Sequence, residues 1–214
     1  MAKKYINNNG EIYEGEYEIQ IARHTASHVL AQAVKRLYKD VKLAIGPAID
    51  TGFYYDFDNL VIKQEDLEKI ELEMKKIIKE NLKIETFELS KEDALKWAKD
   101  NNEIYKEELI NNLEEGTKIT FFKQGEFVDL CVGPHMLYTK GIGKVKLIST
   151  TGAYWRGNED NKMLTRIYGT AFKTEDEIKK FIEEREEAKK RDHNKLGREM
   201  EIFTTVDYIG QGLP

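Results

Sequence analysis

At 214 residues, 40% hydrophobic and 34% charged, the chain can bury a core, reads as a soluble globular protein, and holds no apolar run near the roughly 20 residues of a bilayer span. A net charge of -5 argues against a protein that coats nucleic acid through its overall field. The single cysteine excludes an internal disulfide, and with no secretory leader ahead of the first helix the expectation is a cytoplasmic protein with no membrane partner.

Residues 1–18 hold two short β-like pieces around Asn7-Asn8-Asn9-Gly10 and read either as a hairpin or as a linker from an upstream domain. Over about 19–39, Ile21, Ala22, Thr25, Ala26, Val29, Leu30, Ala33, Val34 and Leu37 recur at helical spacing and predict a long helix with a buried stripe. A strand at 41–45 breaks at Gly46-Pro47, and Thr51-Gly52 turns into an aromatic strand at 53–57, so two strands should lie beside that helix. A helix over 65–80, with Leu67, Ile70, Met74, Ile77 and Ile78 as its inner face, reads as architecture.

A strand at 84–89 is followed by Ser90-Lys-Glu-Asp93, a capping-box-like start, and by short helices at about 91–99 and 103–111. Strands at 118–123 and 126–131, turning at Gln124-Gly125, deliver Cys131 to a strand end, where function commonly sits. Strands at 145–149 and 163–171 enclose an expected long loop over 152–161. Thr174-Glu-Asp-Glu177 opens a charged connector helix of about 20 residues through Arg198, and the tail ending Gly-Gln-Gly-Leu-Pro is expected to run into a domain border. The expected fold class is α+β, an antiparallel sheet packed against a long central helix and followed by a C-terminal connector helix. Its expected divisions are 1–18, 19–173, 174–200 and 201–214.

Three of the four histidines and the only cysteine sit in two short segments, His24-Thr-Ala-Ser-His28 and Cys131-Val-Gly-Pro-His135. Positions i and i+4 share one helical face, so His24 and His28 can point into a single site. His24, His28, Cys131 and His135 supply the four nitrogen and sulfur donors of a tetrahedral zinc site, although neither spacing is the tight C-x₂-C pair of structural zinc modules. The same groups also read as a proton-transfer cluster, since histidine titrates near neutrality and can orient a water. Asp129, two residues before Cys131, shares its strand face and can hold an amine or a histidine N–H. By itself Lys106 would be taken as a surface lysine, and His193 has a surface or capping role on the connector helix. Lys140, Lys144 and Lys146, with the Lys189-Lys190-Arg191 run, are candidate basic faces that more simply read as solvated ones.

Longer runs carry a family resemblance: Ala44-Ile-Gly-Pro-Ala-Ile-Asp50, Gly52-Phe-Tyr-Tyr-Asp56, Val128-Asp-Leu-Cys-Val-Gly-Pro-His135, Thr151-Gly-Ala-Tyr-Trp-Arg-Gly157, Asn161-Lys-Met-Leu164, Arg166-Ile-Tyr-Gly-Thr-Ala171 and Arg191-Asp-His193. With the histidine pair, they make the chain resemble, over about 17–203, the editing region of bacterial threonyl-tRNA synthetases, related to the second additional domain of alanyl-tRNA synthetases. The resemblance implies hydrolysis of serine mischarged onto the threonine tRNA, with His24, His28, Lys106, Asp129, Cys131 and His135 at the centre and Gly46 and Tyr55 as pocket walls. It implies editing without a required cofactor. Zinc on His24, His28, Cys131 and His135 stays open because the alanyl relatives place it on equivalent ligands. ATP and magnesium would belong only to a class II catalytic domain beyond this stretch, in an enzyme expected to be homodimeric, while the fragment is expected to be monomeric. Two other readings are a zinc-stabilised tRNA-binding module without chemistry and a free-standing deacylase.

Overall fold

The computed structural model describes residues 2–114 and 116–191, in one unit that ends at Thr174 and a second that begins at Glu175. Strands β1 (Lys3–Ile6) and β2 (Ile12–Gly15) form a hairpin with Tyr5 opposite Tyr13. The Asn7 side chain closes its turn by accepting the Asn9 and Glu11 N–H groups at 3.0 and 2.9 Å.

Helix α1 (Ile19–Leu37) is the central element. Its buried positions run from Ile21 to Val34 and occupy more than the one stripe that periodicity predicts. The wholly buried Ala22, Ala26, Ala31 and Ala33 let neighbours approach α1 closely on several sides. Strands β3 (Lys42–Leu43), β4 (Ala48–Ile49) and β5 (Gly52–Asp58) follow. The strand expected over 41–45 is regular only at Lys42–Leu43, although Ala44 and Ile45 still bond the Asp56 backbone at 3.0 and 2.9 Å before Gly46-Pro47 turns away.

Helix α2 (Asp66–Glu80) buries Leu67, Ile70, Met74 and Ile77 and ends at Asn81, whose φ of 55° is the left-handed cap conformation asparagine tolerates. After β6 (Ile84–Leu89), the Ser90 hydroxyl accepts the Asp93 N–H and starts α3 (Lys91–Asp100), followed by α4 (Ile104–Asn111). Strands β7 (Ile119–Gln124), β8 (Phe127–Leu130) and β9 (His135–Met136) lead to β10 (Lys144–Tyr154) and β11 (Met163–Phe172). The second unit is described through α5 (Glu175–Lys190); the expected continuation to Arg198, His193 and the tail over 201–214 lie outside the described residues.

The class is α+β, but with three antiparallel sheets where the sequence suggested one: β2-β1-β9, β10-β11-β5-β3 with β4 also on β5, and β6-β7-β8. The loop expected over 152–161 is shorter, because Gly152, Ala153 and Tyr154 pair with Thr165, Leu164 and Met163 and extend β10. Sequence alone missed this because those residues carry no alternation, and the partner strand supplies the ladder.

The main core packs Ala26, Val29, Leu30 and Ala33 of α1 against Phe53, Tyr55 and Phe57 of β5 and against Ile70, Met74 and Ile77 of α2. Full burial of side chains such as Leu30, Phe53 and Phe57 contributes about 1.5–3 kcal/mol each. On the opposite face of the sheet, Arg166 forks onto Asp56 at 2.7 and 2.8 Å and ties β11 to β5. A smaller core seats α3 and α4, through Ala94, Ala98 and Ile110, on Ile119 and Phe121 of β7. Of the candidate basic faces, Lys146 is paired with Glu71 at 3.2 Å. No helix among the described residues is long and apolar enough to cross a membrane.

Candidate active site

The site lies where α1, the β4 approach, α4 and the end of β8 meet. One helical turn separates His24 from His28, and their rings stand edge to face with centroids 5.3 Å apart. Strand β8 ends at Leu130 and hands Cys131 to this face; four residues on, His135 starts β9, held beside β1 by the Ile6 pairing. Gly133 allows the tight passage between them, because a Cβ there would stand 2.6 Å from Cζ of buried Phe122.

The two sequence segments thus converge. Cys131 Sγ lies 3.2 Å from His24 Nε2 and 3.4 Å from His135 Nε2, and the ligand atoms of His24, His28, Cys131 and His135 all fall within 4.8 Å of one another. Tetrahedral zinc with bonds of about 2.0–2.3 Å sets donor–donor edges of about 3.3–3.8 Å, so this donor set fits such an ion if its widest separation closes by about 1–1.5 Å.

Beside the cluster is a buried charge pair. Lys106, on α4, is only 3% exposed, and its Nζ stands 2.6 Å from Asp129 Oδ1. The Tyr55 hydroxyl donates to Asp129 Oδ2 at 2.7 Å, and Lys106 Nζ donates to that hydroxyl at 3.2 Å. Contacts of three residues, Glu103, Tyr105 and Glu108, fix the helix that carries Lys106. Buried Glu103 at its foot binds Lys35 and accepts the Leu43 N–H, the Tyr105 hydroxyl donates to Asp58 at 2.9 Å, and Trp155 Nε1 donates to Glu108 at 3.1 Å.

Electrostatics follow from burial. Desolvation holds the His28 imidazole down at about 3, with the nearby Asp129 carboxylate pulling the other way, and it also lowers His24 and, strongly, His135. His24 is partly compensated by Asp129 and by a hydrogen bond to the Pro134 carbonyl. Burial pushes the Cys131 thiol up, reinforced by Asp129. For Asp129, burial would raise the pKa, but Lys106, His28 and the Tyr55 hydroxyl together outweigh it and hold the carboxyl below its usual range. In the absence of a metal, neutral pH therefore finds neutral imidazoles, a protonated thiol and an ionised Asp129.

A pocket of about 310 Å³ opens onto these groups. His24, His28, Lys106, Asp129 and Cys131 form its polar side, and Ile45, Gly46, Pro47, Leu109 and Leu130 its apolar side. His135 and Tyr55 are fully buried and stand behind it. Gly46 is the wall in front of Tyr55: a Cβ there would lie 2.0 Å from the Tyr55 ring. Another cavity, of about 230 Å³ among Gln32, Arg36, Trp97 and Glu126, has its charges already paired, Arg36 with Glu126 at 2.7 Å.

All eight residues singled out from sequence and resemblance thus lie in this one region, His24, His28, Lys106, Asp129 and Cys131 on the pocket surface with Gly46. Two hydroxyls were passed over. Ser27 donates to the Gly46 carbonyl at 2.6 Å and ties the pocket wall to α1, and Thr25 touches His135 Nδ1 at 3.3 Å. Their only sequence signal was a place between His24 and His28, on either side of Ala26.

Residues 119–168 match the family described as Threonyl and Alanyl tRNA synthetase second additional domain. The chain is 58% identical over 203 residues, 94% of its length, to the threonine--tRNA ligases of Clostridium botulinum (strain Okra / Type B1) and Clostridium tetani (strain Massachusetts / E88), covering 32% of each. Against that of Clostridium botulinum (strain Eklund 17B / Type B), identity is 61% over 193 residues, 90% of this chain and 30% of the relative. The chain therefore spans about a third of the length of these relatives.

Proposed function

We propose that this chain, which carries the second additional domain of threonyl and alanyl tRNA synthetases, is the cytoplasmic proofreading part of a threonine--tRNA ligase and hydrolyses the ester of serine mischarged onto the threonine tRNA. One observation carries the proposal: neutral imidazoles, a thiol and a buried Lys106–Asp129 pair face a single pocket of about 310 Å³, the size of a small ligand site. Serine lacks one methyl group relative to threonine, and a binding site gains only about 1–3 kcal/mol from such a difference, so a second pocket that admits only the smaller residue is the effective solution. Gly46, backed without slack by Tyr55, supplies a wall that cannot retreat from threonine's methyl.

In this reaction a water oxygen bonds to the seryl carbonyl carbon while the ester C–O bond to the terminal ribose breaks. The water's proton passes to a neutral imidazole of His28 or His135, and that imidazolium gives a proton to the ribose oxygen as it leaves, which frees serine and restores the tRNA hydroxyl. His24 and Lys106 bind the ribose and its leaving oxygen, and ionised Asp129 receives the seryl amino group. The raised thiol pKa argues for water rather than Cys131 as nucleophile.

A zinc ion, if bound, would be held by His24, His28, Cys131 and His135, and would supply Lewis acidity or a structural staple there. That donor set is the observation behind a second reading, a zinc-stabilised tRNA-binding module without chemistry. Deacylation of Ser-tRNA and Thr-tRNA, both on the threonine tRNA, by metal-stripped protein separates the two. Hydrolysis of the serine ester with the threonine ester spared supports editing. Equal or absent hydrolysis of both defeats it, and stoichiometric zinc lost in Cys131→Ala then favours the binding module.

A further inference from the structure

Thr25 sits on α1 one residue after His24 and is fully buried. A threonine hydroxyl has one proton to give and two lone pairs to receive with, and three groups surround its Oγ1. They are the Ile21 carbonyl at 2.8 Å, the Met136 N–H at 3.0 Å and His135 Nδ1 at 3.3 Å. The carbonyl can only accept and the backbone N–H can only donate. The hydroxyl proton follows the shortest contact, to Ile21, the usual back-bond of a helical threonine. One lone pair takes the Met136 N–H, and what remains toward His135 is an acceptor. A group facing an acceptor must bring the proton, so Nδ1 carries it.

Among the described residues, Thr25 is the hydrogen-bond partner that His135 Nδ1 meets. The His135 ring packs against those of Phe122 and His28, both with centroids at 4.4 Å, and of His24 at 4.5 Å. We infer that Thr25 is a positioning residue that locks His135 in the Nδ1–H tautomer and thereby turns the Nε2 lone pair toward Cys131 and the hydrolytic centre. The thiol lies 3.2 Å from His24 Nε2 and 3.4 Å from His135 Nε2, so the His135 lone pair faces the Cys131 sulfur, which lines the pocket. The same tautomer is the one a metal at Nε2 would need, with the second ring nitrogen held by an outer partner. The catalytic consequence rests on the proposed hydrolysis, whereas the tautomer rests on the geometry alone.

The test reads ring-nitrogen NMR of the metal-stripped, 15N-histidine-labelled chain, whose four histidines are assigned by single substitutions. His135 is expected to show a protonated Nδ1 and a bare Nε2. Thr25→Val, which keeps the shape and removes the hydroxyl, should lose that pattern, and Thr25→Ser should restore it. In seryl-tRNA hydrolysis Thr25→Val should lower kcat by about 10–100-fold with KM little changed, the size typical of losing such a partner. A parent protein with the proton on Nε2, or a Thr25→Val protein with an unaltered His135 tautomer, overturns the inference. If Thr25→Val does not fold, the parent spectrum alone decides. The predicted tautomer in a chain that hydrolyses neither ester upholds the inference and defeats the proposed function.

Discussion

Removing both members of the Lys106–Asp129 pair should injure the fold by less than the two single removals added together. Lys106→Met leaves an ionised Asp129 that is 2% exposed without the cation that stood 2.6 Å away, and Asp129→Asn leaves Lys106, 3% exposed, in the converse position. An uncompensated buried charge costs about 3–5 kcal/mol. In a chain of 214 residues, where 1 kcal/mol moves Tm by about 2–4 °C, each single variant should melt about 6–20 °C below the parent. Lys106→Met/Asp129→Asn removes both charges and keeps a side-chain oxygen for the Tyr55 hydroxyl, so its loss should fall short of the summed singles by at least about 1.5 kcal/mol. Urea unfolding followed by the fluorescence of Trp97 and Trp155 measures the cycle. Ester hydrolysis provides the contrast: all three variants should be inactive, the double one included, because the proposed reaction uses both charges. Additive stabilities, single variants within about 1 kcal/mol of the parent, or an active double variant would refute the reasoning.

Gly46→Ala should lose about 1–3 kcal/mol, because its Cβ would start 2.0 Å from a fully buried ring with no room to move; a melting temperature equal to the parent's would show that the wall yields. Ser27→Ala frees the Gly46 carbonyl from its 2.6 Å bond and should cost about 1–3 kcal/mol while loosening the pocket, so hydrolysis of the threonine ester should rise relative to the serine ester; an unchanged ratio in paired deacylation assays would count against this. The Glu126 carboxyl is held down at about 2 by hydrogen bonds from Arg36, then Gln32, against a reference of 4.5. A lowered folded pKa means that this stabilisation is complete above the reference value and is lost as pH falls toward 2. Because Glu126 is exposed, the effect should be about 1 kcal/mol or less, seen as a shallower acid-side decline in stability for Glu126→Gln.

Much of the site was readable because its signals are local. The i, i+4 spacing of His24 and His28 needs only the helix that the apolar stripe predicts, and the strand expected over 126–131, observed as Phe127–Leu130, could be placed from the turn at Gln124-Gly125 before it. Asp129 followed from sharing the strand face of Cys131, and the resemblance then drew in Lys106, Gly46 and Tyr55, which carry no periodic signal.

What the sequence determined by itself is the order and kind of the elements, the histidine face of α1 and the family to which its motifs point. Helical and strand periodicities are written in residues near one another in the chain, so they survive without the fold. Only the tertiary structure decided that Lys106 is buried against Asp129, that β10 runs on to Tyr154, that the strands divide into three sheets, and that the hydroxyls of Thr25 and Ser27 reach His135 and Gly46. Each of these depends on a partner distant in sequence. A lysine or a hydroxyl takes its state from what surrounds it, and that is set when separate elements pack together.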